Sequence, residues 1–239
     1  MLSKLNRCLV FIAGIALTTG CSTVWQSTYE TSVAAFKNPE KLLTEAKLDS
    51  HYRYLRFEVN QHPVLLILGF VDVHPEGPVE VWYGGDPVMV KLQNGRYVAS
   101  KGLQTNWQDV HIDQVPDFAS LNQPQRYLRT RQQAPGAEFG IRETVVITPL
   151  NQAPDIAPKL LKEPNIRLVA SGDNVDVAPI RWFSEVVVSA STATMSKAKL
   201  PAFYAVEMAS KPKIIFGYQC LKADYCISWQ AWPATAAAK

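Results

Sequence analysis

One short segment of the chain combines the residue types that acid–base and metal chemistry use. Asp109, His111 and Asp113 alternate with Val110 and Ile112. Because alternate side chains of a β-strand share a face, this spacing predicts two carboxylates beside an imidazole, which could transfer protons or hold a metal ion. The competing interpretation is the solvated face of a strand whose Val110 and Ile112 point into the core. No second cluster of ligands supports a site, so we expect neither a metal ion nor catalytic residues here.

The rest of the sequence carries no familiar catalytic signature. It has no G-x-S-x-G elbow, no H-E-x-x-H motif, no P-loop and no dinucleotide-binding fingerprint. The 24 basic and 21 acidic residues give a formal charge of +3, without a long run of like charges. Nucleic-acid binding would call for a basic stripe or patch. We therefore expect no enzyme activity, no cofactor and no nucleic-acid partner.

The N-terminus has the pattern of a secretory signal peptide over residues 1–20. Lys4 and Arg7 precede an apolar run at 8–17, which is shorter than the roughly 20 residues of a membrane-spanning helix. The segment 17–21, Leu-Thr-Thr-Gly-Cys, resembles the bacterial lipoprotein signal, in which the cysteine becomes the first residue of the mature chain. The alternative is an ordinary secreted protein that is cut after another small residue.

The lipoprotein resemblance implies a covalent membrane anchor at Cys21. Its thiol would carry a diacylglycerol thioether and its freed amine would be acylated with palmitate. Two or more acyl chains hold a protein on a bilayer stably, whereas one binds only marginally. Ser22, rather than an aspartate, follows the cysteine, and this favours sorting to the outer membrane, with the domain facing the periplasm.

Processing at Cys21 would also remove Cys8, which leaves two thiols in the mature domain. Cys220 and Cys226 lie six positions apart. In an oxidising compartment this pair predicts one disulfide. The alternative is a zinc site, which needs further ligands, and the four histidines all lie far upstream at positions 51, 62, 74 and 111.

Aromatic residues are the second candidate feature for binding. Exposed indole and phenol rings stack on sugar rings, but such rings also fill the cores of β-sheets and favour strands. Packing is the simpler interpretation for any single ring, and the set alone does not establish carbohydrate binding. The rings in question are Trp25, Trp82, Tyr83, Trp107, Trp182, Trp229 and Trp232.

The candidate residues must be positioned by a fold, and the sequence predicts an all-β fold. Apolar and polar residues alternate with period two from Tyr54 onward, and Asn94-Gly95 is a strong hairpin signal. Four prolines from Pro149 to Pro164 exclude a continuous strand or a long helix there. We predict strands at 54–59, 64–71, 79–83, 88–92, 97–99, 107–112, 125–130, 141–148, 166–170, 180–190, 203–208, 214–219 and 225–229.

About a dozen short strands with almost no helical period indicate an antiparallel barrel-like or sandwich domain. The predicted organisation has four parts. A signal peptide covers 1–20, and a lipid-anchored tether with a short helix covers 21–48. A single β-rich domain covers 49–232, and a flexible tail covers 233–239. These strands are shorter and more mixed than lipid-facing strands, so we expect a soluble periplasmic domain on a lipid tether.

The order of features resembles the YjbF/GfcB family of lipoproteins from bacterial exopolysaccharide and group 4 capsule gene clusters. The matching features are the lipobox, the segments 54–57, 64–70 and 82–86, the hairpin 88–96 with Gly102-Leu103, and the closing segments 203–206 and 217–219. The chain departs from the family pattern in Cys220/Cys226 and in the stretch 149–164. The resemblance implies a barrel-like domain at the outer membrane without known catalytic residues.

Three hypotheses follow for function. The first is a non-enzymatic accessory that contacts polysaccharide or export and assembly proteins during exopolysaccharide or capsule production. The second is a lipid-anchored hydrolase or lyase acting on polysaccharide or peptidoglycan, with Asp109, His111 and Asp113 as its residues. The third is a structural envelope protein that binds other proteins only, with its aromatic rings buried. We expect the first.

Overall fold

The computed structural model describes residue 43 and residues 48–85, 88–136, 138–160, 179–191 and 200–232. The chain divides into two compact units, residues 1–47 and residues 48–239. The predicted signal peptide, nearly all of the predicted tether, the tail at 233–239 and the predicted strand at 166–170 lie outside the described residues. The described part of the second unit is a β domain.

Twelve strands and one short helix make up the described part of this domain. The strands are β1 (Tyr54–Val59), β2 (His62–Asp72), β3 (Val79–Tyr83), β4 (Met89–Gln93), β5 (Arg96–Lys101), β6 (Asn106–Asp113), β7 (Gln125–Ala134), β8 (Glu138–Leu150), β9 (Ile180–Ala190), β10 (Ala202–Glu207), β11 (Lys213–Lys222) and β12 (Tyr225–Ala231). The helix, α1, is Ala157–Leu160. Within the described ranges, no helix has the length and apolar character that crossing a membrane would take.

The strands form one antiparallel sheet in the order β5-β4-β3-β2-β1-β12-β11-β10-β9-β8-β7-β6. β1 pairs with β12, so the beginning and the end of the domain are hydrogen-bonded neighbours. The two terminal strands of this order, β5 and β6, lie against each other. The Tyr97 hydroxyl links them, because it donates to Ser100 Oγ over 2.6 Å and accepts from the Trp107 amide over 3.4 Å. The sheet is therefore nearly closed into a barrel, and the predicted all-β, antiparallel, barrel-like fold is confirmed.

Alternation along the strands explains which residues fill the interior. Leu55 and Phe57 on β1 and Phe183 on β9 are buried in one core cluster, to which rings from several other strands also belong. Trp229 on β12 lies 6.3 Å, centroid to centroid, from both Tyr97 and Tyr204. Its Nε1 donates to the Gly95 carbonyl at 3.0 Å, which ties the β4–β5 hairpin to the far side of the sheet.

The hairpin between β4 and β5 confirms the turn predicted at Asn94-Gly95. Both residues have positive φ, 49° and 79°, which a two-residue turn of this kind needs in order to match the twist of its strands. The tip packs inward, since a side chain at Gly95 would come within 2.8 Å of Ile214 on β11. Turn conformation and close approach therefore both favour glycine here.

The predicted disulfide is confirmed. Cys220 and Cys226 face each other across β11 and β12, and their sulfur atoms are bonded. A covalent link over six positions closes a short loop, for which the chain-entropy argument gives a stabilisation of about 2 kcal/mol.

A second apolar cluster lies on the outer face of β9–β11. The segment that ends in α1 contributes Ala157 to it, and Trp182 packs edge-on against Phe216 with 6.1 Å between ring centroids. The proline-rich stretch thus packs on the sheet in its described part, 149–160, with α1 as its one described helical turn. β8 itself continues through Pro149 to Leu150, which is two residues further than predicted.

The close contact between Gly217 and Trp229 generates a stability prediction. These residues face each other on β11 and β12, and a methyl group at Gly217 would overlap the indole ring. Overpacking of this kind costs about 1–3 kcal/mol. We expect Gly217→Ala to lower the free energy of unfolding by that amount in urea denaturation. Gly85→Ala is the control, since nothing lies within 4 Å of that position, and an equal loss in both variants would contradict the packing argument.

Candidate functional site

The three residues singled out in the sequence lie on β6, and all three are exposed. Val110 and Ile112 pack against the core as expected. Exposed and half-buried residues alternate from Asp109 to Asp113 as predicted, but the pairing of β6 with β7 shifts between Gln108 and His111. Asp109 occupies this bulge with a φ of 48°. A bulge adds one residue to one strand and re-aims its side chain, so His111 and Asp113 share a site that Asp109 does not line.

His111 and Asp113 belong to a cavity of about 540 Å³ on the outer surface of β6–β9, which we call the outer groove. Its lining comes from two rows of side chains that run across the strands. The first row consists of residues in register on β6, β7 and β8 and of the residue that follows β9. Its members are His111, Thr130, Arg142 and Ser191.

The second row is parallel to the first and lies two residues away from it on each of the antiparallel strands. Its members are Asp113, Leu128, Thr144 and Ser189. β9 carries its own irregularity here, because Thr144 pairs with Ser189 while Val145 pairs with Val187. Bulged strands therefore form both sides of the groove, β6 on one and β9 on the other.

Charged groups of opposite sign lie at different corners of the outer groove. Arg142 is exposed on β8 and Asp113 is exposed on β6. Neither side chain has an ion-pair partner among the residues that the structure describes. His111 Nδ1 lies 2.9 Å from Glu76 Oε1 in the β2–β3 turn. No three His, Cys, Asp or Glu side chains in the described ranges are grouped so as to hold a metal ion.

The inner face of the same strands carries a second, buried set of charges. Glu143 on β8 accepts from Arg129 Nε at 2.7 Å and from Arg131 Nε and Nη2 at 3.0 and 2.8 Å. Both guanidinium groups lie over the Trp107 ring, at 4.7 and 4.2 Å from its centroid. Glu185 on β9 forms the other half of this interior charge cluster.

Glu185 joins three strands across the interior. It accepts hydrogen bonds from Arg96 on β5 and, over 3.0 Å, from the hydroxyl of Tyr204 on β10. Burial raises the pKa of Tyr204 well above its usual value, so its hydroxyl stays protonated and available as a donor. Arg129 Nη1 lies 4.0 Å from Glu185 Oε2 and so connects the two halves of the cluster.

The ionisation of Glu143 follows from its two partners. Burial opposes the charged form and raises the pKa, but the charges of Arg129 and Arg131 more than offset this, so the pKa of Glu143 lies below its usual value. A carboxylate held between two guanidinium groups is charged throughout the neutral range. The interior cluster therefore places the Glu143 carboxylate and the carboxyl group of Glu185 among three guanidinium groups inside the domain.

The tryptophans are packing residues wherever the structure describes them. Trp82, Trp107, Trp182, Trp229 and Trp232 are at most 5% exposed, whereas Tyr83 is 46% exposed. Trp82 and Trp229 contribute to the wall of a second cavity of about 420 Å³, but their faces are covered. Trp25 and Cys21 lie outside the described residues.

Sequence reasoning did not anticipate the groove residues outside β6. Thr130, Arg142, Thr144 and the two serines come from three other segments, and only strand register brings them beside His111. The buried glutamates did leave a signal. Glu143 alternates in phase with Ile141 and Val145, which places a carboxylate on an apolar face and requires a cation next to it.

No protein-family model matches the chain, and neither does any curated protein. Among solved structures, the chain resembles a hypothetical lipoprotein, YmcC, from Escherichia coli K12, with a TM-score of 0.57 and 16% sequence identity. The similarity covers 84% of this chain and 95% of that protein. The class of protein is thus an all-β, barrel-like domain with the fold of that lipoprotein, and at this identity the likeness shows the fold alone.

The interior charge cluster generates a prediction about stability. Removing Glu143 leaves Arg129 and Arg131 buried without their shared carboxylate, and a broken buried pair costs about 3–5 kcal/mol. We expect Glu143→Ala to lower the free energy of unfolding by that amount. Glu80→Ala is the control, because Glu80 pairs over 2.5 Å with the exposed Arg53, and a surface pair contributes at most about 1 kcal/mol. Equal losses would contradict the assignment.

The pH dependence provides a second readout for the same residue. A depressed pKa in the folded state means that Glu143 stabilises the fold fully above its unfolded pKa of about 4.3. That contribution is lost as the pH falls through the lower folded value. We expect the acid branch of the stability curve to be shallower in Glu143→Gln than in wild type, and identical branches would show that Glu143 does not titrate as described.

Proposed function

We propose that this protein is a lipid-anchored outer-membrane lipoprotein of the YjbF/GfcB type that serves, without catalysis, in the assembly or export of an exopolysaccharide or capsule. The observation that carries the proposal is the fold shared with a protein described as a hypothetical lipoprotein, over 84% of this chain. The lipobox at 17–21 and the sequence resemblance to that family support the same assignment from an independent direction.

The proposed anchor is the acylated Cys21, with membrane lipid as the first partner. Removal of Lys4 and Arg7 with the signal leaves 22 basic and 21 acidic residues, so the mature chain has too little net charge for electrostatic attachment to a membrane. Ser22 at the sorting position supports the outer membrane, and the β domain would face the periplasm. Its further partners would be the polysaccharide or the proteins that export and assemble it.

A non-enzymatic role is favoured by the composition of the outer groove. Glycosidases use two carboxyl groups that flank the scissile bond. Among the described side chains that point into the groove, Asp113 is the one carboxylate, because Glu143 faces the interior and is bound by two arginines. The hydrolase alternative depends on His111 and Asp113, which do share the groove. It predicts that His111→Ala and Asp113→Asn each abolish function in cells.

The anchor generates a localisation prediction. Without the Cys21 thiol no thioether forms, so we expect Cys21→Ser to remain uncleaved by the lipoprotein peptidase, to take up no fatty-acid label and to be missing from the outer-membrane fraction. Metabolic labelling with an alkyne fatty acid, followed by membrane fractionation, measures this. Cys220→Ser is the matched control, and it should keep both label and location while losing about 2 kcal/mol of stability. Label on Cys21→Ser, or none on wild type, would refute the assignment.

The cellular role generates a separate prediction. Deletion of the gene should lower the amount or the length of surface polysaccharide under conditions that induce the cluster, and the wild-type gene should restore both. Because the proposed role depends on the membrane location, Cys21→Ser should not restore them. Unchanged polymer in the deletion strain would remove this function, and loss of complementation by Asp113→Asn together with hydrolytic activity of the purified protein would favour the enzyme.

A further inference from the structure

We propose that the outer groove is a binding site for a short segment of a sugar chain. This inference deepens the proposed function, and it rests on the proposed function only for the identity of the polysaccharide from which the sugar segment comes. The site itself is argued from the two rows of side chains on β6–β9.

The hydrogen-bonding groups of the outer groove match a ligand rich in hydroxyl groups. Four hydroxyl side chains line it, and each can donate as well as accept. They are Thr130 and Ser191 in the first row and Thr144 and Ser189 in the second. A sugar hydroxyl also does both, so a row of such groups can bind it without leaving a donor or acceptor unpaired.

Asp113 and Arg142 give the groove a direction. They lie two strands apart, which corresponds to about 9.5 Å across the sheet, and on different rows. An ionised carboxylate only accepts hydrogen bonds and a guanidinium only donates them. Asp113 would therefore accept from ring hydroxyls at one end, while Arg142 would donate to a carboxylate or a hydroxyl at the other. Both are free of ion pairs with described residues, so neither has to break a bond to bind.

Leu128 supplies an apolar floor between the polar groups. It is 57% exposed, and it lies in the second row with Asp113 on one side and Thr144 on the other. The faces of sugar rings present C–H groups, which pack favourably on such a surface. A floor without an aromatic ring predicts modest affinity, and it leaves specificity to the polar rows.

An extended peptide is a poorer match for the same surface. Peptides that add a strand need an open sheet edge, whereas β7 and β8 are each paired on both sides along these rows. Peptide and protein interfaces also draw most of their energy from large buried anchors such as aromatic rings. Leu128 is the one large apolar side chain in the groove among the described residues.

The test uses the purified, soluble β domain with its signal and lipidated cysteine replaced by a cleavable tag, once urea denaturation has shown that this chain folds. The probes are oligosaccharides released by partial acid hydrolysis of the exopolysaccharide of the producing cells, and glycan fragments of peptidoglycan. Binding is followed by NMR on the imidazole signals and by titration calorimetry. The chain has four histidines, so the His111 signal is resolvable, and we expect it to shift while the signals of His51 and His62 do not.

Matched variants separate the outer groove from general charge attraction. We expect Arg142→Ala to weaken binding about tenfold, which is the usual effect of losing a charge-assisted hydrogen bond. Arg126→Ala is the control, since Arg126 is exposed on β7 but does not line the groove, and it should change binding less than twofold. Thermal unfolding of each variant should match wild type, because both side chains are exposed.

Each outcome decides a different statement. Binding of the exopolysaccharide fragments with a His111 shift supports both the site and the proposed function. Binding of peptidoglycan glycans alone supports the site and counts against the exopolysaccharide role. Equal losses in Arg142→Ala and Arg126→Ala, shifts of the indole signals of Trp82 and Trp229 instead of His111, or no binding at millimolar probe overturn the site. These three results would overturn the binding site alone. The proposed cellular role is tested separately, by the amount and length of polymer in the deletion strain.

Discussion

The fold depends on ion pairs between charged side chains in the interior of the barrel. An unpaired guanidinium or carboxylate in a closed β-domain costs several kcal/mol, so each must find its partner as the strands close. Arg96 on β5, Arg129 on β7, Glu143 on β8 and Glu185 on β9 meet this condition together. β5 and β9 are far apart in the strand order, and their ion pair crosses the interior. The strand arrangement that closes the sheet thus also brings the buried charges into ion pairs.

This constraint also fixes the register of the strands that present the outer groove. Side chains alternate between faces, so a slip of one residue would expose Glu143 and bury Arg142. On β7, Arg129 likewise points into the interior and the next residue, Thr130, points into the outer groove. The interior cluster therefore holds the outer rows in line from the inner face of the same strands. A rigid polar surface loses little conformational entropy on binding, which suits a site with few strong anchors.

How far the sequence predicts this molecule depends on the range of the interaction involved. The strands follow from the local alternation of apolar and polar residues. The hairpin at Asn94 follows from the conformational preferences of the turn residues. Both can therefore be predicted from residues that are close in sequence. His111 and Asp113 were found for the same reason, since one strand holds both. Arg142 could not be placed beside them, because the bulges on β6 and β9 and the pairing of four segments decide that alignment. Glu143 carries two opposing local signals, because its charge favours exposure whereas its alternation in phase with Ile141 and Val145 favours burial.

The filled interior explains why a binding surface should lie outside. Some closed β-sheets hold small ligands inside, but here Trp107, Phe57 and Phe183 are fully buried, and two arginines of the charge cluster pack over the Trp107 ring. The indole of Trp229 reaches the Gly95 carbonyl from the other side of the sheet, so opposite walls are in contact. A polymer could not thread such a domain. Under the proposed function, an extended chain would therefore be recognised on the outer face, where β6–β9 carry the polar outer groove.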